Sequence, residues 1–313
     1  MSKLRAAVVG VGYLGRFHAE KYRALDDVDL VGVSDLDAEA GRAIAQKLGA
    51  EFFADHRALL GKVDAVTIAA STSAHFELAR FFLENGVHVL VEKPMTRTSA
   101  EGAVLTELAN RRGLKLQVGH VERFNPALLS ARAGLSAVSF IECHRLAPFK
   151  GRGADVNVIL DLMIHDLDVI LSLVASQPVD VSAVGIAVLT DEVDIANARI
   201  EFANRAIANV TASRVSTSAQ RRFRVFQANQ YVAIDFGSGD VRRVTRRPGG
   251  ADQSALEEES WSLEKSDALL AETKAFVAAI RNDTPCEVSG ADGVAALELA
   301  ERVIAEIERR RRG

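Results

Sequence analysis

The sequence predicts an α/β protein of two domains: an N-terminal doubly wound parallel sheet and a C-terminal α/β domain with a large, mostly antiparallel sheet. Three observations carry that prediction. Over roughly the first 120 residues, short β-branched runs alternate with helical segments, the rhythm of a parallel sheet with crossover helices. Beyond Asn125-Pro126, long alternating runs come one after another, so strand follows strand as in an antiparallel sheet. The length of 313 residues also exceeds what one hydrophobic core ordinarily serves. The boundary is drawn after residue 120, giving domains 1–120 and 121–313.

In the first domain the strand candidates are Leu4 to Gly10, Asp29 to Ser34, Asp64 to Ala70, Val87 to Val91 and Leu114 to Val118. Between them, Tyr13 to Leu25, Ala38 to Leu48, Ser73 to Glu84 and Ser99 to Arg112 are long enough for helices and apolar on one face. Right-handed crossovers then put helices on both faces of the sheet. In the second domain, Val179 to Leu189, Ala196 to Phe202, Ala206 to Ala212, Phe223 to Gln227 and Tyr231 to Phe236 have strand character. Asp161 to Val174, Asp267 to Arg281 and Gly290 to Arg309 are the helices expected to cover them. Arg247 to Ser260, with Pro248-Gly249-Gly250 and Glu257-Glu258-Glu259, has the composition of an exposed loop. The run Arg309 to Arg312 suits the end of a helix, where basic side chains complement the dipole.

Composition narrows the function. Hydrophobic residues make up 48% and charged residues 26%, the balance of a packed globular protein. With 38 Lys+Arg against 42 Asp+Glu, the net charge of -4 creates no bulk field for nucleic acid or an anionic membrane, and neither is expected as a partner. The N-terminus enters a short strand without the apolar stretch of a signal peptide, and no run approaches the roughly 18 apolar residues of a membrane helix. A cytoplasmic location is expected. Cys143 and Cys286 have no C-x-x-C arrangement and are expected to be reduced thiols.

The first chemical motif is Gly10-Val11-Gly12-Tyr13-Leu14-Gly15, which follows the strand Ala6 to Val9 and opens a helix. In the G-x-G-x-x-G pattern the first glycine makes a tight turn, the second lets backbone approach a pyrophosphate, and the third lets helix pack on strand. Helix N-terminal amides supply the anion site. Asp35 stands 20 residues after Gly15, at the end of the second strand, where a carboxylate accepts from a ribose 2′-hydroxyl and repels a 2′-phosphate. NAD is therefore expected over NADP.

Glu92-Lys93-Pro94 follows the apolar strand Val87 to Val91 at its carboxyl end, where ligands of open α/β sheets bind. Lys93 there suits a substrate hydroxyl or alkoxide, although a solvated loop lysine has the same sequence appearance. In Leu160 to Ser172, the residues Asp161, His165, Asp168 and Ser172 fall at helical spacing on one face of a mostly apolar segment. Such a stripe either lines a cleft or forms a satisfied structural His-Asp pair. Metal ligation is the third reading, but with no H-E-x-x-H and no cysteine cluster no metal is expected. Gly119 to Pro126 crosses into the second domain, and its Arg123 and Asn125 suit a phosphate and a sugar hydroxyl, or equally a hinge.

Together these features resemble the Gfo/Idh/MocA family of oxidoreductases, named after glucose-fructose oxidoreductase and inositol dehydrogenase. The likeness runs from Leu4 to about Ile307 and rests on Gly10 to Gly15, Glu92-Lys93-Pro94, and Asp161 with His165 as D-x-x-x-H. Within the family, G-H-V-E-R-F-N-P and D-L-M-I-H-D-L-D-V-I-L are similar to the subgroup that oxidises the 3-hydroxyl of UDP-N-acetylglucosamine on the way to an amino sugar for lipid A; enzymes of the related uronic acid share much of the pattern. A polyol or free-sugar dehydrogenase of the same family and a non-catalytic NAD-binding regulator are the alternatives. The resemblance implies that Lys93, Asp161 and His165 form the catalytic group. It implies NAD contacts at Gly10, Gly12, Tyr13, Leu14, Gly15, Asp35, Ser71, His75, Glu92 and Lys93. Sugar contacts are implied at Lys93, Arg123, Asn125, Arg152, Asp161 and His165, with Arg123 or Arg152 meeting the pyrophosphate. It further implies a homodimer or homotetramer through the C-terminal sheet. One departure is Ser71-Thr72-Ser73-Ala74-His75, where many relatives carry Thr-Pro-Asn.

Oxidising a secondary alcohol requires a base for the hydroxyl proton while hydride leaves for the nicotinamide. A histidine titrates near 6.5, whereas a lysine starts near 10.4 and must be lowered by about 3 units at roughly 1.4 kcal/mol each. His165 is therefore the expected base, Asp161 its neighbour or a hydroxyl acceptor, and Lys93 the cation beside the developing alkoxide.

Overall fold

The computed structural model describes residues 2–149, 156–247, 255–264 and 266–312. The chain divides into two compact units, Met1–Val121 with Asp267–Val294, and Glu122–Ser266 with Ala295–Gly313. The sequence division assigned Asp267 to Arg281 to the second domain. In the structure that helix belongs to the first unit because its apolar face, Phe276 and Val277, is buried in the core with Leu30, Leu90 and Tyr22.

The first unit runs β1 (Leu4–Val9), α1 (Gly15–Arg23), β2 (Val28–Ser34), α2 (Ala38–Leu48), β3 (Glu51–Phe53), β4 (Ala65–Ile68), α3 (Thr72–Glu84), β5 (His88–Glu92), α4 (Ser99–Arg112) and β6 (Leu116–Gly119), with α7 (Ala268–Asn282) returning later. Its sheet has the order β3-β2-β1-β4-β5-β6, every pair parallel. Central strands of such a sheet are covered on both faces, and all four residues of β4 and residues 89–92 of β5 are accordingly buried. Helix ends are written in the sequence. Asp37 accepts the amides of Glu39 and Ala40 to start α2, and Thr98 and Glu101 form a reciprocal capping box on α4. Gly49 and Gly113, at φ 65° and 64°, close the same two helices in the left-handed conformation that glycine adopts without strain.

The second unit runs α5 (Pro126–Arg132), β7 (Val138–Leu146), α6 (Ile164–Val174), β8 (Pro178–Ile186), β9 (Ile195–Phe202), β10 (Ile207–Ser213), β11 (Gln220–Gln227), β12 (Gln230–Asp235), β13 (Asp240–Arg246) and β14 (Leu256–Ser262). The last helix, α8 (Gly290–Arg312), starts in the first unit's segment and ends in the second's. The eight-stranded sheet has the order β14-β13-β12-β11-β7-β10-β9-β8 and is antiparallel except where β10 pairs with β7. Alternate residues such as Ala196, Ala198, Ile200 and Phe202 enter one core with Leu167 and Ile170 of α6 and Val303 of α8.

The stretch expected as a loop from Arg247 to Ser260 ends instead in β14, paired with β13 through Arg242–Glu258 at 2.6 Å and Arg243–Glu259 at 3.5 Å. The glutamate run hides the strand because its cross-strand pairing is charge against charge rather than apolar against apolar. Among the described residues no helix is long and apolar enough to cross a membrane.

Candidate active site

Strand order reverses between β1 and β4, since β2 and β3 lie beyond one and β5 and β6 beyond the other. Ligands of open α/β sheets bind outside the carboxyl ends of the strands at such a point. A cavity of about 500 Å³ opens there, lined by Gly10, Gly12, Asp35, Leu36, Ala70 and Ser71 among others. Gly10 has φ +82°, and a Cβ on it would stand 2.6 Å from the Ala70 backbone. Gly12 has open space on the corresponding side, which leaves its backbone approachable. Exposed Tyr13 and Leu14 lead into α1, whose first turn takes no side-chain cap. Asp35 is anchored at the rim, its Oδ2 accepting from Val11 N at 2.6 Å and its Oδ1 from Asp37 N at 2.9 Å. Each carboxylate oxygen keeps a second lone pair for a hydroxyl. An approachable glycine backbone, an uncapped helix start and an anchored carboxylate fit a dinucleotide with a free ribose hydroxyl.

The turn after β5 is held from two sides. Glu92 folds back so that its Oε2 accepts the amide of Lys93 at 3.1 Å, while its Oε1 lies 2.8 Å from His18 Nε2 on α1. Burial opposes ionisation of Glu92, but the His18 hydrogen bond and charge, with Lys93 nearby, bring its carboxyl below the ordinary range. His75 of α3 places Nδ1 3.0 Å from the Pro94 carbonyl and Nε2 3.1 Å from that of Ala70. Burial lowers the titration of His75, so the neutral ring donates to one carbonyl at a time. Ser71 is exposed at the cavity and close to Ser73, their hydroxyls 3.2 Å apart. Of the residues expected to meet the cofactor, Ser71 lines the cavity, whereas Glu92 and His75 are spent on shaping the lysine turn. Lys93 itself is half-buried.

In the second unit Asp161 sits in a π-helical turn, Ile159–Met163, that runs directly into α6 with His165 in its first turn. Such turns recur at functional sites because the wider winding re-aims side chains. Asn157 steadies the entry, its Oδ1 accepting from Leu160 N at 3.1 Å and its carbonyl from Asp161 N at 3.1 Å. Asp161 and His165 are half-buried, while Asp168 is 2% exposed and lies 3.4 Å from Arg123 Nη1. The expected stripe therefore splits: its first two members face outward enough to meet a ligand, and Asp168 turns into the unit. Ser172 bonds back to the Val169 carbonyl at 2.8 Å.

Two expectations for sugar contacts meet other duties. Arg123, expected at a phosphate, is buried at 6% exposure against Asp168. Asn125, expected at a sugar hydroxyl, caps α5 by accepting from Ala127 N at 3.0 Å and donates to Glu122 at 3.0 Å. Arg152 lies outside the described residues. Asp166, which no sequence motif singles out, takes a two-pronged contact from Arg145 of β7 at 2.9 and 2.8 Å, while Arg145 reaches Glu122 at 2.9 Å. Burial raises the Asp166 carboxyl, with the Arg145 guanidinium opposing it. Breaking a buried pair of this kind costs about 3–5 kcal/mol. The signal was present: a charge within an apolar helix requires a partner, and Arg145 stands inside the alternating run of β7.

Comparison with known proteins agrees with this geometry. Residues 4–120 match the model of an oxidoreductase family with an NAD-binding Rossmann fold, and residues 142–230 match the Gfo/Idh/MocA C-terminal domain. The chain is 41% identical over 310 residues to UDP-N-acetylglucosamine 3-dehydrogenase of Acidithiobacillus ferrooxidans, covering 98% of each chain. A solved structure of that relative superposes with a TM-score of 0.92 over 99% of both chains. Myo-inositol 2-dehydrogenase of Thermotoga maritima is 27% identical over 329 residues, covering 98% of this chain and 97% of that one. The chain belongs to the Gfo/Idh/MocA family and is an NAD-binding oxidoreductase.

Proposed function

We propose that the chain oxidises the 3-hydroxyl of UDP-N-acetylglucosamine with NAD, yielding the 3-keto sugar for an amino sugar of lipid A. The observation that carries this reading is the 41% identity to UDP-N-acetylglucosamine 3-dehydrogenase across 98% of both chains, against 27% to an inositol dehydrogenase. Bound NAD supplies the hydride acceptor. His165 takes the hydroxyl proton, Asp161 accepts from a neighbouring hydroxyl and orients the sugar, and Lys93 stabilises negative charge developing on the sugar oxygen. Asp35 reads the ribose hydroxyl and favours NAD over NADP. The first unit, to which Asp267–Val294 returns, serves NAD, the second serves the sugar, and the large sheet joins copies of the chain into a homodimer or homotetramer in the cytoplasm.

The test is NADH formation with UDP-N-acetylglucosamine, its uronic acid form, free N-acetylglucosamine and myo-inositol. The UDP-linked N-acetyl sugar is expected to give the highest kcat/KM by at least about tenfold, because binding energy from the remote pyrophosphate orients the reacting ring. Equal efficiency with the free sugar would sink the nucleotide-sugar claim, and faster turnover of inositol would select the polyol reading.

A further inference from the structure

Behind the Lys93 turn, within the first unit, lies a buried polar group with no direct part in the reaction above. His18 on α1, Glu92 at the end of β5 and Glu272 on α7 are 0%, 7% and 0% exposed, and one ring nitrogen and one oxygen of each carboxyl lie within 4.8 Å of one another. Glu92 is engaged by His18 and by the Lys93 amide. Among the described residues, both carboxyl oxygens of Glu272 lack a hydrogen-bond partner, and so do His18 Nδ1 and Oε1 of Gln117 on β6, whose amide nitrogen donates to the Glu272 carbonyl at 3.2 Å. Tyr22, next along α1, is committed to Thr67 at 2.8 Å. The charged or titratable groups around Glu92 are thus His18, Lys93, Glu272 and, from α3, His75.

An ionised Glu272 would set a second negative charge beside the Glu92 carboxylate, within 4.8 Å, in a site closed to water where His18 Nε2 is already engaged by Glu92. A protonated Glu272 carries one O–H, and a small rotation would let it donate to the Glu92 carboxylate. We propose that Glu272 is a neutral carboxylic acid which, with His18, forms a positioning pair that keeps the site's one negative charge on Glu92, where it holds the Lys93 turn. Burial and the nearby Glu92 charge both raise the Glu272 carboxyl well above its ordinary range, in keeping with that assignment. A charge-assisted hydrogen bond, His18 to Glu92, joins the helix that opens at the glycine fingerprint to the turn that carries Lys93. The kinetic half of the inference rests on the reading of Lys93 as catalytic; the protonation half does not.

The experiment uses the full chain with ¹³C-labelled glutamate, examined by infrared spectroscopy at neutral pH. A protonated-carboxyl stretch is expected in the wild type and absent from Glu272→Gln. No such band in the wild type, a band that survives in Glu272→Gln, or a stoichiometric divalent cation found by elemental analysis would overturn the assignment. In turnover, His18→Ala and Glu92→Gln are expected to lower kcat about tenfold or more with KM for NAD held within about twofold, and His18→Gln, which keeps a donor, to recover most of the loss. Wild-type kcat in His18→Ala would overturn the positioning role. A wild-type chain inactive on every sugar would count against Lys93 as a catalytic group and leave the infrared result standing.

Discussion

A Cβ placed on Gly15 would lie 1.7 Å from the carbonyl oxygen of Gly10, whereas one placed on Gly12 would meet nothing within 4 Å. Two glycines of one fingerprint thus differ in their surroundings, Gly15 packed against the strand turn and Gly12 facing open space. Gly15→Ala is expected to destabilise the first unit by about 3 kcal/mol or more, since a clash with backbone cannot be relieved by a rotamer change. Gly12→Ala is expected to melt within about 2 °C of the wild type yet bind NAD at least tenfold more weakly, a loss of about 1.4 kcal/mol. Thermal melts and NAD titration separate the two, and a Gly12→Ala protein with unchanged NAD affinity would remove that backbone from the cofactor site.

Asp35 bears on the choice of cofactor. With its carboxylate pinned by the Val11 and Asp37 amides, a 2′-phosphate would meet a fixed negative charge. Fluorescence titration is expected to show tighter binding of NAD than NADP, with the preference narrowed about tenfold or more in Asp35→Ala. Tighter binding of NADP to the wild type would show that the end of β2 does not read the ribose.

Arg123 and Arg152 are expected to part company. Arg123 is buried beside Asp168, so Arg123→Ala should cost about 3–5 kcal/mol of stability by taking the guanidinium away from that buried carboxylate. Arg152→Ala is expected to melt normally and to raise KM for UDP-N-acetylglucosamine about tenfold, with free-sugar turnover unchanged. Denaturant unfolding and steady-state kinetics on both variants check this. A stably folded Arg123→Ala enzyme that has lost its preference for the UDP-linked sugar would return the pyrophosphate contact to Arg123.

Lys93→Ala and His165→Ala are each expected to lower kcat by about 10² or more while NAD affinity stays within about twofold, the scale of a lost general acid-base or charge-stabilising group. Asp168→Ala is expected to act on stability instead, through Arg123. Wild-type turnover in His165→Ala would pass the role of base to Lys93.

How far the sequence reaches depends on what each element asks of it. The strands of the first unit lie close to where β-branched runs put them, because buried parallel strands are continuously apolar and their helices carry glycine and acid caps. β3, only Glu51–Phe53, is too short to show a period. β14 escaped because its glutamates are met by arginines, Arg242 and Arg243 of β13, rather than by apolar side chains. The positions of the fingerprint, Asp35 and the Lys93 turn just past the ends of β1, β2 and β5 were legible, since their spacing along the chain is itself the geometry. His18, Glu272 and the Arg145–Asp166 pair were not, because each joins elements distant in sequence, and a single histidine or glutamate on a helix gives no sign of which face it will occupy. The segment from Asp267 looked like part of the second domain for the same reason, as nothing local marks the chain's return to the first core.

The central claim, removal of hydride from the sugar's third carbon by NAD, is tested most directly with UDP-N-acetylglucosamine deuterated at that carbon. The expected result is deuterium in the reduced nicotinamide, detected by mass spectrometry, together with a 3-keto sugar nucleotide. Reduced nicotinamide free of deuterium, with the label retained in the product sugar, would contradict it.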